Sequence, residues 1–274
     1  MKKIEHQGPL FIFAASICWS LGGVCISFIP WGAMSIIGIR AFLAALVFII
    51  YQRGLKIEFS KGNIMAALCL SLTTILFVFA NKLTSAAAAI LLQFSAPIFI
   101  IIIEFLFYKK KPSLKATIAV TTTLLGMILF FFDKLEVGNS LGNILAILSG
   151  VSFAGVFICN TQKNTNSIQS SLLSFLINAI IGLPFAFFQV TPDLTAWIAI
   201  SILGIVQVGI SYLLFSAGIK KTTALLACLI SALEPVLNPL WVTLALGIVP
   251  GIYTIIGGII IVSTIIFYNL GKKE

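Results

Sequence analysis

Charge is scarce in this chain. Of its 274 residues only 9% are Asp, Glu, Lys or Arg, while 60% are hydrophobic. A soluble globular chain carries about 25% charged residues. The polar surface here is too small to cover a soluble globule of this size. Acidic residues number eight, and histidine occurs once, as His6 in the N-terminal tail. One tail histidine supplies no Ser-His-Asp set, no H-E-x-x-H helix and no histidine-based metal site. No Walker loop is present, and the length leaves no room for a nucleotide domain, so an ATP-driven pump is excluded. No catalytic activity and no cofactor are expected. The five cysteines, Cys18, Cys25, Cys69, Cys159 and Cys228, form no C-x-x-C pair and lie in apolar stretches. They read as free thiols that pack as small apolar side chains.

What the chain has in abundance is long apolar sequence. A helix crosses the roughly 30 Å hydrocarbon core in about 20 residues. Ten such helices use about 200 residues and leave about 70 for loops and tails. Ten apolar runs can be marked, near 9–29, 33–52, 63–81, 84–107, 114–132, 141–160, 168–188, 195–217, 222–246 and 250–269. Turn chemistry separates them, as at Pro30-Trp31-Gly32, Lys111-Pro112-Ser113, Thr191-Pro192-Asp193 and Val249-Pro250-Gly251. Runs this long do not fit a barrel, whose strands alternate over about ten residues. The first run follows Lys2 and Lys3, as a signal peptide would. It is longer than a usual signal core, and Ser20-Leu21-Gly22-Gly23 is a poor cleavage site, so it is read as helix one.

The net charge of +9 is topological and not a nucleic-acid footprint. With the N-terminus in the cytoplasm, fourteen Lys and Arg residues fall on the inner side and only Lys82 and Lys134 on the outer; Arg40 lies within helix two. That asymmetry follows the positive-inside rule. It predicts a multi-pass protein of the cytoplasmic membrane with both termini cytoplasmic. The lipid bilayer is an expected partner, and nucleic acid is not.

An internal repeat organises the runs. A shift of 138 residues carries Thr84-Ser85-Ala86 onto Thr222-Thr223-Ala224, Ala89 onto Ala227, Pro97 onto Pro235 and Pro112 onto Pro250. Earlier the shift is 134, carrying Gly8 onto Gly142 and Trp19 onto Phe153. Helices two and seven show no fixed register. Five helices per unit turn the second unit the opposite way up, a recurring plan of secondary transporters. The predicted fold is an all-α polytopic membrane protein. Its ten transmembrane helices form two inverted five-helix repeats, 1–138 and 139–274.

Helices four and nine share a mid-membrane proline. Pro97 removes the hydrogen bond to the Gln93 carbonyl, and Pro235 removes that to Ser231. Such carbonyls survive at membrane depth where protein or a wet cavity satisfies them. Two readings stand: a kinked helix pair lining a central site, or a packing kink. Helical spacing then gathers polar residues into stripes. Ser231, Glu234, Asn238 and Trp241 share a face of helix nine, and Gln93, Pro97 and Glu104 one of helix four. Thr74, Phe77 and Asn81 align on helix three; Gly204, Gln207, Ser211 and Gly218 align on helix eight. Polar stripes in lipid turn inward, to form either a cavity or interhelical hydrogen-bond glue.

Three roles fit Glu234: carrier of a coupling proton, ligand of a cationic substrate, or structural ion-pair partner of Arg40. Arg40 fits a carboxylate substrate, the outer interface, or that ion pair. Glu104 lies within reach of Lys109 to Lys111, and snorkelling explains it. Trp19, Tyr212 and Trp241 lie well inside their helices, either as walls of a site for an apolar or aromatic solute or as packing. Trp31, Trp197 and Tyr253 lie near helix ends, where aromatic belts form.

These residues resemble a known family. The stretches Cys18-Trp19-Ser20-Leu21-Gly22-Gly23, Asn81-Lys82-Leu83-Thr84-Ser85-Ala86, Leu92-Gln93-Phe94-Ser95-Ala96-Pro97 and Leu233-Glu234-Pro235-Val236-Leu237-Asn238-Pro239 are similar to the drug/metabolite transporter superfamily, EamA type. Ala96-Pro97 and Glu234-Pro235 match the A/E-P element such families show in helices four and nine. Leu246-Gly247-Ile248 departs from the acidic L-G-E that often precedes their last helix, and Lys109-Lys110-Lys111-Pro112 departs in the first repeat. The resemblance implies a carrier working by alternating access, often an exporter of amino acids or other small metabolites. It also implies a central cavity lined by helices one, three, four, six, eight and nine, and a shared architectural part for Glu234. Proton coupling stays open beside it. Two other classes are weighed: a non-transporting accessory subunit, and a membrane-embedded enzyme of lipid metabolism. The enzyme would need an interfacial polar cluster that these short, Asp- and His-poor loops do not supply.

Overall fold

The computed structural model describes residues 7–135 and 139–270. Lys2, Lys3, His6, the boundary at Gly138, Lys272 and Lys273 lie outside the described residues, as does the side chain of Leu246. The described chain is helical throughout, with no strand. The helices are α1 Gln7–Ser27, α2 Ala33–Tyr51, α3 Lys61–Leu83, α4 Ala86–Tyr108, α5 Leu114–Phe130, α6 Ser140–Thr161, α7 Ser167–Gln189, α8 Leu194–Ile219, α9 Ala224–Ala245 and α10 Ile252–Leu270. Nine are long and apolar enough to cross a membrane, and α5 is apolar but shorter.

Short polar caps start seven of the helices. Ser60, Ser85, Ser113, Asn139, Asn166, Asp193 and Thr223 each accept a hydrogen bond from a backbone N–H of the following first turn. Such caps satisfy donors that lipid cannot. Ser85 and Thr223 stand 138 residues apart, at the Ser/Thr-Ala starts seen in the sequence.

The helices with a mid-membrane proline are broken. The helical run of α4 stops at Gln93 and resumes at Ala96, with Pro97 in the first turn of the new segment. That of α9 stops at Ser231 and resumes at Leu233, just before Pro235. The Gln93 carbonyl left without its usual donor lies where a Cβ on Gly150 would come within 2.9 Å. A glycine in α6 therefore lets the broken segment approach. A second irregularity lies in α8, where Leu203–Ile210 winds as a π-helix. The wider turn brings Gly204 and Gly209, five residues apart, onto one face against Leu43 and Val47 of α2. In a regular α-helix that spacing would point them in different directions.

Helix neighbours follow a pattern. α3 packs along α6 and α1 along α8; α4 packs on α6 and α9 on α1; α3 meets α7 and α8 meets α2. α2 with α7 and α5 with α10 form the remaining main contacts. Replacing each helix by the one five places on reproduces this set of neighbours. Individual contacts recur as well. Gly8 abuts the backbone of Lys221, and Gly142 abuts the backbone of Leu83 and Thr84. Ser16 donates to the Ile230 carbonyl at 3.2 Å, while a Cβ on Gly150 would meet the Leu92 carbonyl at 3.1 Å. On the axis of this exchange, Gly38 of α2 and Gly182 of α7 touch backbone to backbone.

Candidate functional site

Two cavities that share part of their lining lie among helices from both halves. The outer one, about 590 Å³, runs from Lys82, Lys134 and Thr254 at the lysine-poor end down to Arg40, Gln93, Gln207 and Glu234. The inner chamber, about 140 Å³, shares those four residues. It adds Trp19, Thr73, Thr74, Asn178 and Tyr212. Its lining ends near Leu70, Phe175 and Tyr212. These lie seven to nine residues, roughly 10–14 Å, above the lysine-rich helix ends.

Below it the bundle is closed. Trp19 stacks edge-on against Tyr212 at 5.3 Å, and the ring contacts continue through Phe175, Phe215 and Phe157. Phe215, Phe157 and Phe48 are fully buried beneath the chamber. The close approaches of Gly8 to Lys221 and of Gly218 to the Gly8 carbonyl finish the seal. Every residue of Ala224–Ser231, the first part of α9, is buried.

The chamber's polar groups are held by a scaffold but not used up by it. Gln207, in the π-turn of α8, donates through Nε2 to the Trp19 carbonyl at 3.3 Å, while its buried Oε1 has no partner. Trp19 Nε1 and Asn178 Oδ1 are also buried and unpartnered. Gln93 Nε2 donates to Ser149 Oγ at 2.8 Å, and that hydroxyl donates to the Thr73 carbonyl at 3.0 Å. This chain ties α4 to α6 and α3. Asn238 Nδ2 donates to the Ser20 carbonyl at 3.1 Å. A Cβ on Gly23 would fall inside the Asn238 amide, so only glycine admits this contact.

Arg40 and Glu234 both line the chamber. Among the described residues the ion pair within 4.0 Å is Lys110 with Glu104, at 3.0 Å. The direct Arg40–Glu234 ion pair, one of the three roles open to Glu234, is therefore not formed within 4.0 Å. Both side chains line the same chamber, one from α2 and one from α9. Among the described residues no side-chain hydrogen bond engages either charge. Glu104 behaves as the sequence suggested, at the lysine-rich surface.

Of the residues expected at a cavity, Trp19, Phe77, Asn81, Gln93, Gln207, Tyr212, Glu234 and Asn238 line these two spaces, as do Arg40 and Pro235. Ser211, Ser231, Trp241 and Pro97 do not. Ser211 is buried and donates to the Gln207 carbonyl at 2.5 Å. Ser231 is buried and donates to the Cys228 carbonyl at 2.7 Å. Trp241 donates from Nε1 to Ser20 Oγ at 2.8 Å and packs away from the opening. Pro97 is buried in the break of α4. Trp31 is buried against Trp197 at 5.2 Å and donates to Thr191, so it packs a loop onto α8 and is not a belt residue. Thr73, Asn178, Phe153 and Phe175 line the chamber without having been singled out.

The EamA-like transporter family model matches residues 6–132 and again 140–270. An uncharacterized transporter of Archaeoglobus fulgidus is 26% identical over 166 residues, covering 60% of this chain and 60% of that protein. The uncharacterized transporter YxxF of Bacillus subtilis is 26% identical over 189 residues, covering 65% of this chain and 60% of that protein. The matched chain thus spans 60% of the length of both curated relatives. A crystal structure 19% identical in sequence superposes with a TM-score of 0.82, over 96% of both chains, and shares the fold. With two successive matches covering nearly its whole length, this chain belongs to the EamA-like transporter family.

Proposed function

We propose that the protein is a secondary transporter that exports a small organic metabolite, such as an amino acid or drug-like solute, across the cytoplasmic membrane by alternating access. One observation carries the reading. A mid-depth chamber holding unpartnered charges and amides is open toward one end of the bundle and sealed toward the other. A packing protein gains nothing from unpaired polar groups at that depth, since each is costly away from water. A carrier needs them vacant for its solute. The lysine distribution supports termini in the cytoplasm, so the described conformation is open outward. The recurring neighbour pattern supports two inverted five-helix units, 1–138 and 139–274, as the moving parts. No bond is made or broken in this scheme.

Glu234 is the acidic residue of the chamber and carries the coupling proton in this reading. Reconstituted protein should move a solute with saturable kinetics and show counterflow. If a broad metabolite panel gives neither binding nor saturable exchange, the carrier reading fails, and a non-transporting subunit takes its place. Glu234→Gln should abolish proton-driven movement while solute exchange persists at saturating solute, since the amide oxygen still accepts a hydrogen bond. Unchanged pH-driven uptake by that variant removes Glu234 as proton carrier.

A further inference from the structure

We infer that Arg40 determines specificity by taking the carboxylate of the solute, and that the solute is a compact zwitterion whose primary ammonium faces Glu234. This rests on the carrier reading above and names the class of solute that site takes.

Arg40 is held in place by backbone on two sides. Two residues before it, Gly38 touches Gly182 of α7, and the Arg40 carbonyl lies 3.1 Å from where a Cβ on Gly204 would stand. Its guanidinium offers five N–H donors in a fixed fork suited to a carboxylate. Among the described residues no hydrogen bond or ion pair occupies that fork, and Glu234 and Tyr212 line the same chamber. Acceptors line the same chamber. Glu234 has a carboxylate, and Gln207 Oε1 and Asn178 Oδ1 are buried without partners. Three acceptors match the three N–H bonds of a primary ammonium. Trp19 Nε1 adds one unpartnered donor.

The choice of solute follows by elimination. A simple amine would leave Arg40 desolvated and unpaired; a simple carboxylate would leave an ionised Glu234 unpaired and, whatever its protonation, Gln207 Oε1 and Asn178 Oδ1 without a donor. A neutral solute would strand both. An unpaired desolvated charge is far worse than a missing neutral contact. Only a solute with both charges closes the set. The chamber of about 140 Å³ suits the charged head group alone. The remainder of the solute would lie in the outer space beside Ile26, Ile36, Val78 and Ile90, which favours an apolar tail.

The test uses the full purified chain and its tryptophan fluorescence on heating. The twenty amino acids are screened first. The best binder is then compared with its decarboxylated amine and its deaminated acid, for instance leucine with isoamylamine and 4-methylpentanoate. The zwitterion should bind at least tenfold tighter than either fragment. Arg40→Gln should weaken the zwitterion to the level of the amine and leave the amine unchanged. An arginine that only supports the fold would weaken both alike, and that result overturns the inference. So does an amine or acid that equals the zwitterion on the natural chain. Should Arg40→Gln fail to fold, the fragment series on the natural chain still decides, with Arg40→Lys as the charge-keeping variant. Saturable exchange of a solute lacking either charge, without amino-acid binding, refutes this inference and spares the carrier reading. Binding of nothing refutes both.

Discussion

The crossing of α2 and α7 bears the most direct test of the architecture that places Arg40. A Cβ built on Gly182 lies 2.5 Å from the Gly38 nitrogen and 2.6 Å from its Cα. Carbon atoms rest comfortably at about 3.5–4.0 Å. Gly182→Ala would therefore force the helices apart by about 1 Å. Overpacking typically costs about 1–3 kcal/mol. The obstacle here is backbone, which cannot rotate away as a side chain can, so the upper part of that range applies. Alanine returns at most about 1 kcal/mol of helix propensity. The net loss is then about 2 kcal/mol, read as a lower melting temperature of the detergent-purified protein. Solute affinity should fall as well, because Arg40 sits just beyond the contact. Gly258→Ala is the control. Its Cβ would meet Val236 Cγ1 at 3.3 Å, a flexible neighbour, and it should melt at or above the natural protein. A Gly182→Ala chain that melts with the natural one refutes the close approach.

Other substitutions separate holding from binding. Trp19→Phe removes an indole N–H without a partner among the described residues and part of a buried ring, so solute affinity should fall sharply while melting falls only by the lost ring packing. Asn178→Leu removes a buried unpartnered amide; the folded protein should be more resistant to heat and transport should be lost, the usual exchange between stability and function. Ser20→Ala strands the Trp241 N–H and should destabilise by about 1 kcal/mol. Glu104→Gln breaks a half-exposed pair with Lys110 worth less than about 1 kcal/mol, and should leave melting and transport unchanged.

Helix number and approximate boundaries were legible because lipid imposes them. Each span must satisfy its own backbone and show apolar side chains over about 20 residues. The breaks in α4 and α9 were legible because proline lacks a donor. The π-turn in α8 was not, since nothing in Leu203–Ile210 breaks an α-helix locally; its glycines gain meaning only beside α2. Asn178 was missed although a signal existed. Ser167, Ser170, Ser174 and Asn178 make a fifth stripe, on α7, and all are buried. Ser211 and Ser231 were placed at the cavity for a sound reason and on the wrong side of it. Their counterparts 138 residues earlier, Thr73 and Gln93, do line the chamber. A repeat marks two equivalent positions, and the sequence does not say which end is open.

That asymmetry leads to a test with a cysteine the protein already has. From α4, the residues Ala86, Ala87, Ile90, Gln93 and Phe94 line the open space. A shift of 138 carries them onto Ala224, Leu225, Cys228, Ser231 and Ala232 of α9, and all five are buried. If the two halves exchange conformations during transport, the α9 set must line an opening at the lysine-rich end when the α4 set closes. Cys228, now fully buried, would then stand where Ile90 stands today. With Cys18, Cys25, Cys69 and Cys159 replaced by serine or alanine, Cys228 is the single thiol. Reagent trapped inside inside-out vesicles, at the present open end, should fail to label it. A maleimide added at the lysine-rich face should label it slowly at rest, and faster when solute present on one side drives turnover. Labelling from the lysine-poor end, or a rate indifferent to every solute that binds, would mean that α9 does not take the place of α4. The five-helix units would then be a symmetry of packing without being the machinery of transport.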